Sequence, residues 1–397
     1  MQLALHEQGL QYINILKNCL EADKMNVEVF PFSGIKKNMP RHGEVQKYRL
    51  THSSGAFFSV INYGASITSI CVRDREGQLA DVILGFCCLE DYLNNTSCHG
   101  AVVGRHANRI RKASFTLHDK EYTLPQNDGP NNLHGGSPSF QNVFWDGEIL
   151  SQAQAEKYLS DSNIKSEYEI EGDAVLFSYT SPDGACGFPG TLETSVLYAW
   201  TKDCTLLILY RGESDADTLF NPTNHAYFNL QGHDSGNVAR QMLWINSDHI
   251  TNKDSENIPD GTYSAVKGSI FDFTVPAPLG PTMKNNDPQL LSSGGLDQNY
   301  CLHTSHLQAS RVALLSDPVS GRMMEVSTNS PGLQIYTGNH IGGCCGKSGN
   351  EYIRYAGVCL ETQLYPDAIH HKDFPSPVIA AHEPCYYVTG YRYFTES

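Results

Sequence analysis

The sequence predicts an all-β fold, a large antiparallel sandwich or barrel. Three observations carry this. Strand-length runs of Val, Ile, Leu, Tyr and Phe recur along the chain. Clusters of Gly, Pro, Asn and Asp separate them, which is the chemistry of turns. Amphipathic helical windows are scarce after residue 26, so the alternation of strands and helices that builds a doubly wound sheet is missing.

In chain order, residues 1–26 come first. Leu10, Ile13, Leu16 and Leu20 fall at helical spacing, while the basic start and unbroken apolar run of a signal peptide are missing. This segment is read as an extension, helical or disordered. From residue 27 to 397 the pattern is that of one large β domain with few short helices. "FFSVINYGASITSICVRD" (57–74) predicts two strands broken at Tyr63-Gly64. "ADVILGF" (80–86), "ETSVLYAW" (193–200) and "CTLLILYRG" (204–212) predict further strands. "RVALLSD" (311–317), "MMEVSTN" (323–329) and "LQIYTGN" (333–339) continue the series. "SQAQAEKYLSD" (151–161) is the best helical window, read as a short helix or a loop.

The net charge of −15 and the lack of Lys/Arg stripes argue against a phosphate backbone as partner. The same balance gives no attraction to anionic membranes or anionic substrates, and a neutral small molecule suits it better. The twelve cysteines form no CxxC pair, and several sit inside apolar runs such as "LGFCCLE" and "GVCLETQ". They read as reduced thiols of a cytoplasmic protein.

Five polar stretches interrupt the strands: "GRHANRI" (104–110), "NNLHGG" (131–136), "NPTNHAYFNL" (221–230), "GLDQNYCL" (295–302) and "CLETQLYPDAIH" (359–370). "PGLQIYTGN" (331–339) is a milder sixth. No zinc-ligand spacing, P-loop, GxGxxG or GxSxG elbow is found, so metal, nucleotide and serine-hydrolase chemistry have no motif behind them. What remains is a set of His, Glu, Asp, Asn, Arg and Gln suited to a polyhydroxylated neutral ligand and to proton transfer. Taken alone, His225 is either a buried histidine bonded to Asn224 or backbone, or a proton donor. Glu361 is either a strand-end carboxylate or a base.

Taken together and in this order, the stretches resemble the aldose 1-epimerase (galactose mutarotase) family over roughly residues 45–395. "TNHAYFNL" and "CLETQ" are the most specific matches, and "GFPGTL", "IPDG" and "GSIFDF" support them. The resemblance implies a β-sandwich of the galactose mutarotase type and a cofactor-free isomerase without a metal. It acts on free hexoses such as galactose or glucose, as a monomer or weak dimer. It implies His225 as general acid and Glu361 as general base. Asn108, Arg109, His134, Asp297 and Gln334 are implied as the sugar-binding groups.

Gln298, His106 and Tyr365 depart from the family pattern, which bears on sugar preference and supporting hydrogen bonds. In the basic run Arg105, Arg109, Arg111 and Lys112, Arg109 alone is expected to turn inward, the rest forming a solvated face. His99, His106 and His340 are read as structural or surface, and His370-His371 as a surface pair. Tyr227 and Phe228 are candidates to pack on the sugar, or to be core.

The implied chemistry is ring opening and reclosure at C1. The C1 hydroxyl must lose a proton and the ring oxygen must gain one; a carboxylate suits the first task and an imidazolium near its ordinary pKa the second. Two other readings stand beside this one: a sugar-binding relative without catalysis, and a mutarotase for hexose 6-phosphates.

Overall fold

The structure is a computed structural model that describes residues 26–32 and 45–396. The expected extension therefore lies outside the described residues, apart from Asn26. Within them the all-β expectation holds: the chain is built of antiparallel strands, with short α-helices at Leu89–Leu93, Gln152–Asp161, Leu279–Met283 and Pro288–Ser293.

Three sheets organise the fold. A five-stranded meander runs through Val27–Pro31, Gln46–Thr51, Phe57–Ile61, Ser66–Arg73 and Leu79–Asp81. The expected break at Tyr63-Gly64 separates its third and fourth strands. The strand expected over 80–86 stops at Asp81 instead. There the Asp81 carboxylate accepts from the backbone N–H groups of Ile70 and Ile83, at 3.1 and 3.3 Å, in place of ladder partners.

A nine-stranded sheet forms the centre. Its order is Asp146–Leu150, Ile170–Ser181, Leu192–Thr201, Thr205–Ser214, Cys385–Thr395, Arg322–Thr328, Ser310–Ser316, Met242–Ile245 and Ala277–Pro278. Successive side chains of a strand face opposite sides, and Leu192–Thr201 shows this plainly. Val196, Tyr198 and Trp200 enter the main core, while Leu197 and Ala199 face the other way. That second face is covered by the helix Gln152–Asp161, which buries Ala155 and Leu159 against it. The window over 151–161 is thus a helix, begun where the Gln154 side chain accepts from the Ser151 N–H at 2.9 Å.

The central sheet is tied to the meander through aromatics. Phe58 meets Trp200 at 5.1 Å between ring centres. The Trp200 indole donates to the Leu50 carbonyl at 3.0 Å, and the Tyr198 hydroxyl to that of Ala65 at 2.7 Å. Each large ring thus buries its body while its polar tip is satisfied.

The third sheet positions the site. Its strands lie in the order Pro259–Ala265, His249–Lys253, Asp297–Cys301, Gly332–Tyr336 and Cys359–Gln363. The last is joined to the central sheet by the Tyr391 hydroxyl, which donates to the Leu360 carbonyl at 2.9 Å. In this register Asn299 stands opposite Gln334, and Gln334 opposite Glu361. A row of polar side chains is therefore held on neighbouring strands by backbone pairing alone. Among the described residues no helix is long and apolar enough to cross a membrane.

Candidate active site

A cleft of about 410 Å³ opens at this row. Asn108, Arg109, His134, His225, Asp297, Gln334 and Glu361 all line it, although they come from six separate stretches of chain.

His225 follows the short strand Thr223–Asn224, which pairs with Val102–Val103. Its backbone continues that pairing, donating to Ala101 and accepting from Gly100, both at 2.9 Å. Asn224 bonds to the Gly100 carbonyl at 2.7 Å and does not hold the ring of His225. The ring instead has Nε2 3.7 Å from Glu361 Oε1 and Nδ1 3.5 Å from Cys359 Sγ. Cys359 and Glu361 are two apart on one strand, and so share a face.

Both members of the pair are buried, His225 6 % and Glu361 2 % exposed, and burial disfavours the charged form of each. It pushes the His225 imidazole down to about 4. It raises the Glu361 carboxyl well above the usual carboxylate range, with Asp297 adding to the rise and Arg109 opposing it. An imidazolium near its ordinary pKa, expected from sequence, is therefore not the resting form. Burial thus favours the uncharged pair, imidazole plus carboxylic acid, over the ion pair.

A raised carboxyl pKa contributes stability below the usual carboxylate range and loses it as pH rises. At neutral pH the buried acid is thus a net cost. Glu361→Gln is expected to stabilise the fold by on the order of 1 kcal/mol. A lower melting temperature for that variant, read by calorimetry at pH 7, contradicts this burial account.

Asn108 and His134 sit at a tight junction. The two-residue strands Arg109–Ile110 and Asn132–Leu133 pair, and the flanking Asn108 and His134 take φ of 62° and 52°. The Asn108 N–H donates to His134 Nδ1 at 3.2 Å. A backbone N–H can only donate, so that nitrogen carries the lone pair and the His134 proton sits on Nε2. Gly135, at φ 77°, lies against the Gly104 carbonyl, where a Cβ has no room.

Arg109 is clamped by two carboxylates, with Nε 2.7 Å from Asp128 and Nη1 3.8 Å from Asp297. Gln334 donates to Asp297 at 2.6 Å. That leaves Gln334 Oε1 and Glu361 Oε2 buried without partners. Two unpaired acceptors beside a polar cleft are what a ligand rich in hydroxyl donors would satisfy.

Two arginines of the basic run are less exposed than expected. Arg105 is not on a solvated face: it is 2 % exposed and spends its guanidinium on the carbonyls of Ser181, Pro182 and Pro189. Arg111 is half-buried, near Asp254 and Asp367, and Lys112 is the exposed member of the run. His370 is exposed and His371 half-buried, so the pair lies at the surface as expected, with both rings beside the buried Asp367, at 2.6 and 3.6 Å. His99 and His106 are buried. His340 is exposed but lines the cleft.

Tyr227 lines the cleft, whereas Phe228 is core, packed on Tyr391 at 4.9 Å. Of the departures from the family pattern, Gln298 is buried with its amide on the Thr251 carbonyl. Tyr365 packs on Phe374 at 5.2 Å, and neither it nor His106 lines the cleft.

The sequence reading missed Tyr336 and Asp128. Tyr336 lines the cleft two positions after Gln334, and strand alternation could have found it. Asp128, in the turn "QNDGPNN", carried no signal until Arg109 was seen beside it.

Among the described residues, His225, Cys359 and Glu361 bring potential metal-ligand atoms within 4.8 Å of one another. The same His and Glu could exchange a proton with a ligand in the cleft.

A sequence model of the aldose 1-epimerase family matches residues 46–392. A galactose mutarotase from Bos taurus is 38 % identical, covering 88 % of this chain and 94 % of that protein. An aldose 1-epimerase from Haemophilus influenzae is 32 % identical over 85 % of this chain and 92 % of its own. The crystal structure of galactose 1-epimerase from Lactobacillus acidophilus superposes with a TM-score of 0.77 at 24 % identity, covering 94 % of this chain and all of that one. With the match spanning nearly the whole β domain, the chain belongs to the aldose 1-epimerase family of isomerases.

Proposed function

We propose that this enzyme interconverts the α and β anomers of free hexoses, galactose and glucose among them, with His225 and Glu361 as its proton-transferring pair. The observation that carries the reading is the 3.7 Å approach of His225 Nε2 to Glu361 Oε1 beside a polar cleft. The two reacting oxygens of an aldose ring are bonded to one carbon, so the groups that serve them must converge.

The pair shares one proton, so one member accepts while the other donates. With that proton on His225, the Glu361 carboxylate takes the proton of the C1 hydroxyl. The bond from C1 to the ring oxygen breaks, the C1 carbonyl forms, and His225 protonates the ring oxygen. The pair is then imidazole plus carboxylic acid, the uncharged distribution that burial favours. Rotation about C1–C2 turns the carbonyl over. Closure returns the protons by the same path and gives the other anomer.

Asn108, Arg109, His134, Asp297 and Gln334 hold the ring hydroxyls. Asp297 accepts from them, and His134 Nε2–H donates. Asp297→Ala is expected to raise KM by about 10–100-fold, because a charged acceptor is lost and Arg109 and Gln334 are left without it. An unchanged KM removes Asp297 from the binding set.

The carboxylates of Asp128 and Asp297 around a single committed arginine make the cleft a poor host for a phosphate. This supports free sugars over hexose 6-phosphates. The described free thiols, such as Cys71, Cys204 and Cys385, suit a cytoplasmic enzyme. Residues 27–397 act as one domain, in a monomer or weak dimer.

Polarimetry of freshly dissolved α-galactose, with and without protein, tests the reading. Accelerated decay of rotation is expected. Sugar binding without acceleration would instead make the chain a non-catalytic relative, and faster turnover of 6-phosphates than of free sugars would move the substrate class.

A further inference from the structure

Cys359 is fully buried and does not line the cleft, yet its sulfur lies 3.5 Å from Nδ1 of His225. We infer that Cys359 is a positioning residue: its sulfur accepts the Nδ1–H of His225, which reserves Nε2 as the nitrogen that exchanges protons with Glu361 and the sugar. The inference rests on the functional reading above.

Two groups compete for one lone pair. A neutral imidazole has a single acceptor nitrogen. Two groups could donate to it here: the Glu361 carboxylic acid at Nε2 and the Cys359 thiol at Nδ1. A carboxylic acid is the stronger donor, and thiols donate only weakly. Glu361, 3.7 Å away, is the stronger claimant to the lone pair, and the proton of the ring stays on Nδ1, facing the Cys359 sulfur and the backbone carbonyl of His225 itself.

The catalytic cycle needs the same arrangement. When His225 holds the shared proton, both nitrogens are protonated, and Nδ1–H again points at sulfur. In both halves of the reaction Nδ1 keeps its hydrogen and only Nε2 changes. The opposite tautomer would present Nε2–H to a protonated Glu361, and the pair would then have no good base.

A neutral sulfur suits the task better than a carboxylate would. A carboxylate on Nδ1 would hold the imidazolium in a strong ion pair and slow release of its proton. Burial, with Glu361 and Asp297 nearby, keeps the Cys359 thiol uncharged by raising it well above its ordinary range. The ring itself is wedged by Tyr227 and His134, at 4.9 and 5.3 Å between centres, so its orientation does not depend on the sulfur alone.

The test is ¹⁵N NMR of histidine-labelled full-length protein, with His225→Asn used to assign the His225 signals, alongside polarimetric kinetics. In the wild type the protonated-type signal is expected at Nδ1 of His225. Cys359→Ser keeps an acceptor and is expected to stay within a few-fold of wild-type kcat. Cys359→Val removes the sulfur acceptor, and is expected to shift the proton toward Nε2 and to lower kcat by about 10-fold. KM should change little, since no sugar contact is touched.

A wild-type ring whose unprotonated nitrogen is Nδ1 overturns the inference, and this holds even if Cys359→Val does not fold. So does a folded Cys359→Val with wild-type kcat. A wild type without mutarotation refutes the functional reading instead, so the two failures can be told apart.

Discussion

Glu361→Gln is expected to lower kcat by about 10²–10⁴-fold while leaving galactose affinity within a few-fold of wild type. The amide keeps the shape and one acceptor oxygen, so the hydroxyls that Asp297, Gln334 and His134 are proposed to bind still find their partners. What it loses is the ability to take the C1 proton and give it back. With no second carboxyl 3.7 Å from His225 Nε2, the shared proton has nowhere to go. Polarimetry measures the rate, and calorimetric titration with galactose measures binding. Near-normal turnover removes Glu361 from the chemistry. Lost turnover together with lost binding makes it a structural residue of the cleft.

His225→Asn is expected to lower kcat by a similar factor, and its pH profile carries more information than its rate. In the wild type the working state of the pair holds one proton. Because burial depresses His225 to about 4, the second proton binds only in strong acid. The sign follows. As pH falls through about 4, the pair becomes imidazolium plus carboxylic acid, the acceptor is lost, and kcat/KM drops about tenfold per unit.

On the alkaline side the limit is loss of the proton from Glu361, which lies well above the usual carboxylate range. The wild type should therefore show no acid limb near the ordinary histidine value. His225→Asn should show no limb near 4 either, over the range where circular dichroism finds it folded. An acid limb between 6 and 7 in the wild type, about where an unperturbed histidine titrates, means the imidazole is not desolvated as its burial implies.

Much of this site was legible along the chain. The seven cleft residues named from the motifs all line one cavity. The strands near 193–212 and 311–339 fall where alternation and turn residues put them. Local rules suffice there, because a strand's period and a turn's φ requirement are properties of a few neighbouring residues. Those rules failed where a side chain's surroundings come from elsewhere. Arg105 and Arg109 lie four apart in one basic run, yet one is spent on carbonyls from residues 181–189 and the other on Asp128 and Asp297. His370 is at the surface as expected, but the buried Asp367 that it pairs with has no local signature.

The sequence by itself determined the fold class, the family, and which imidazole and carboxyl would meet. Only the tertiary structure decided what those groups are in their resting state. Protonation depends on how much water each group has lost and which charges remain nearby, and both are set by chain segments distant in sequence, those of Asp297 and Arg109 among them. The same holds for the sulfur behind His225: strand alternation puts Cys359 beside Glu361, but only the packing of the "TNHAYFNL" segment against that strand brings the ring between them.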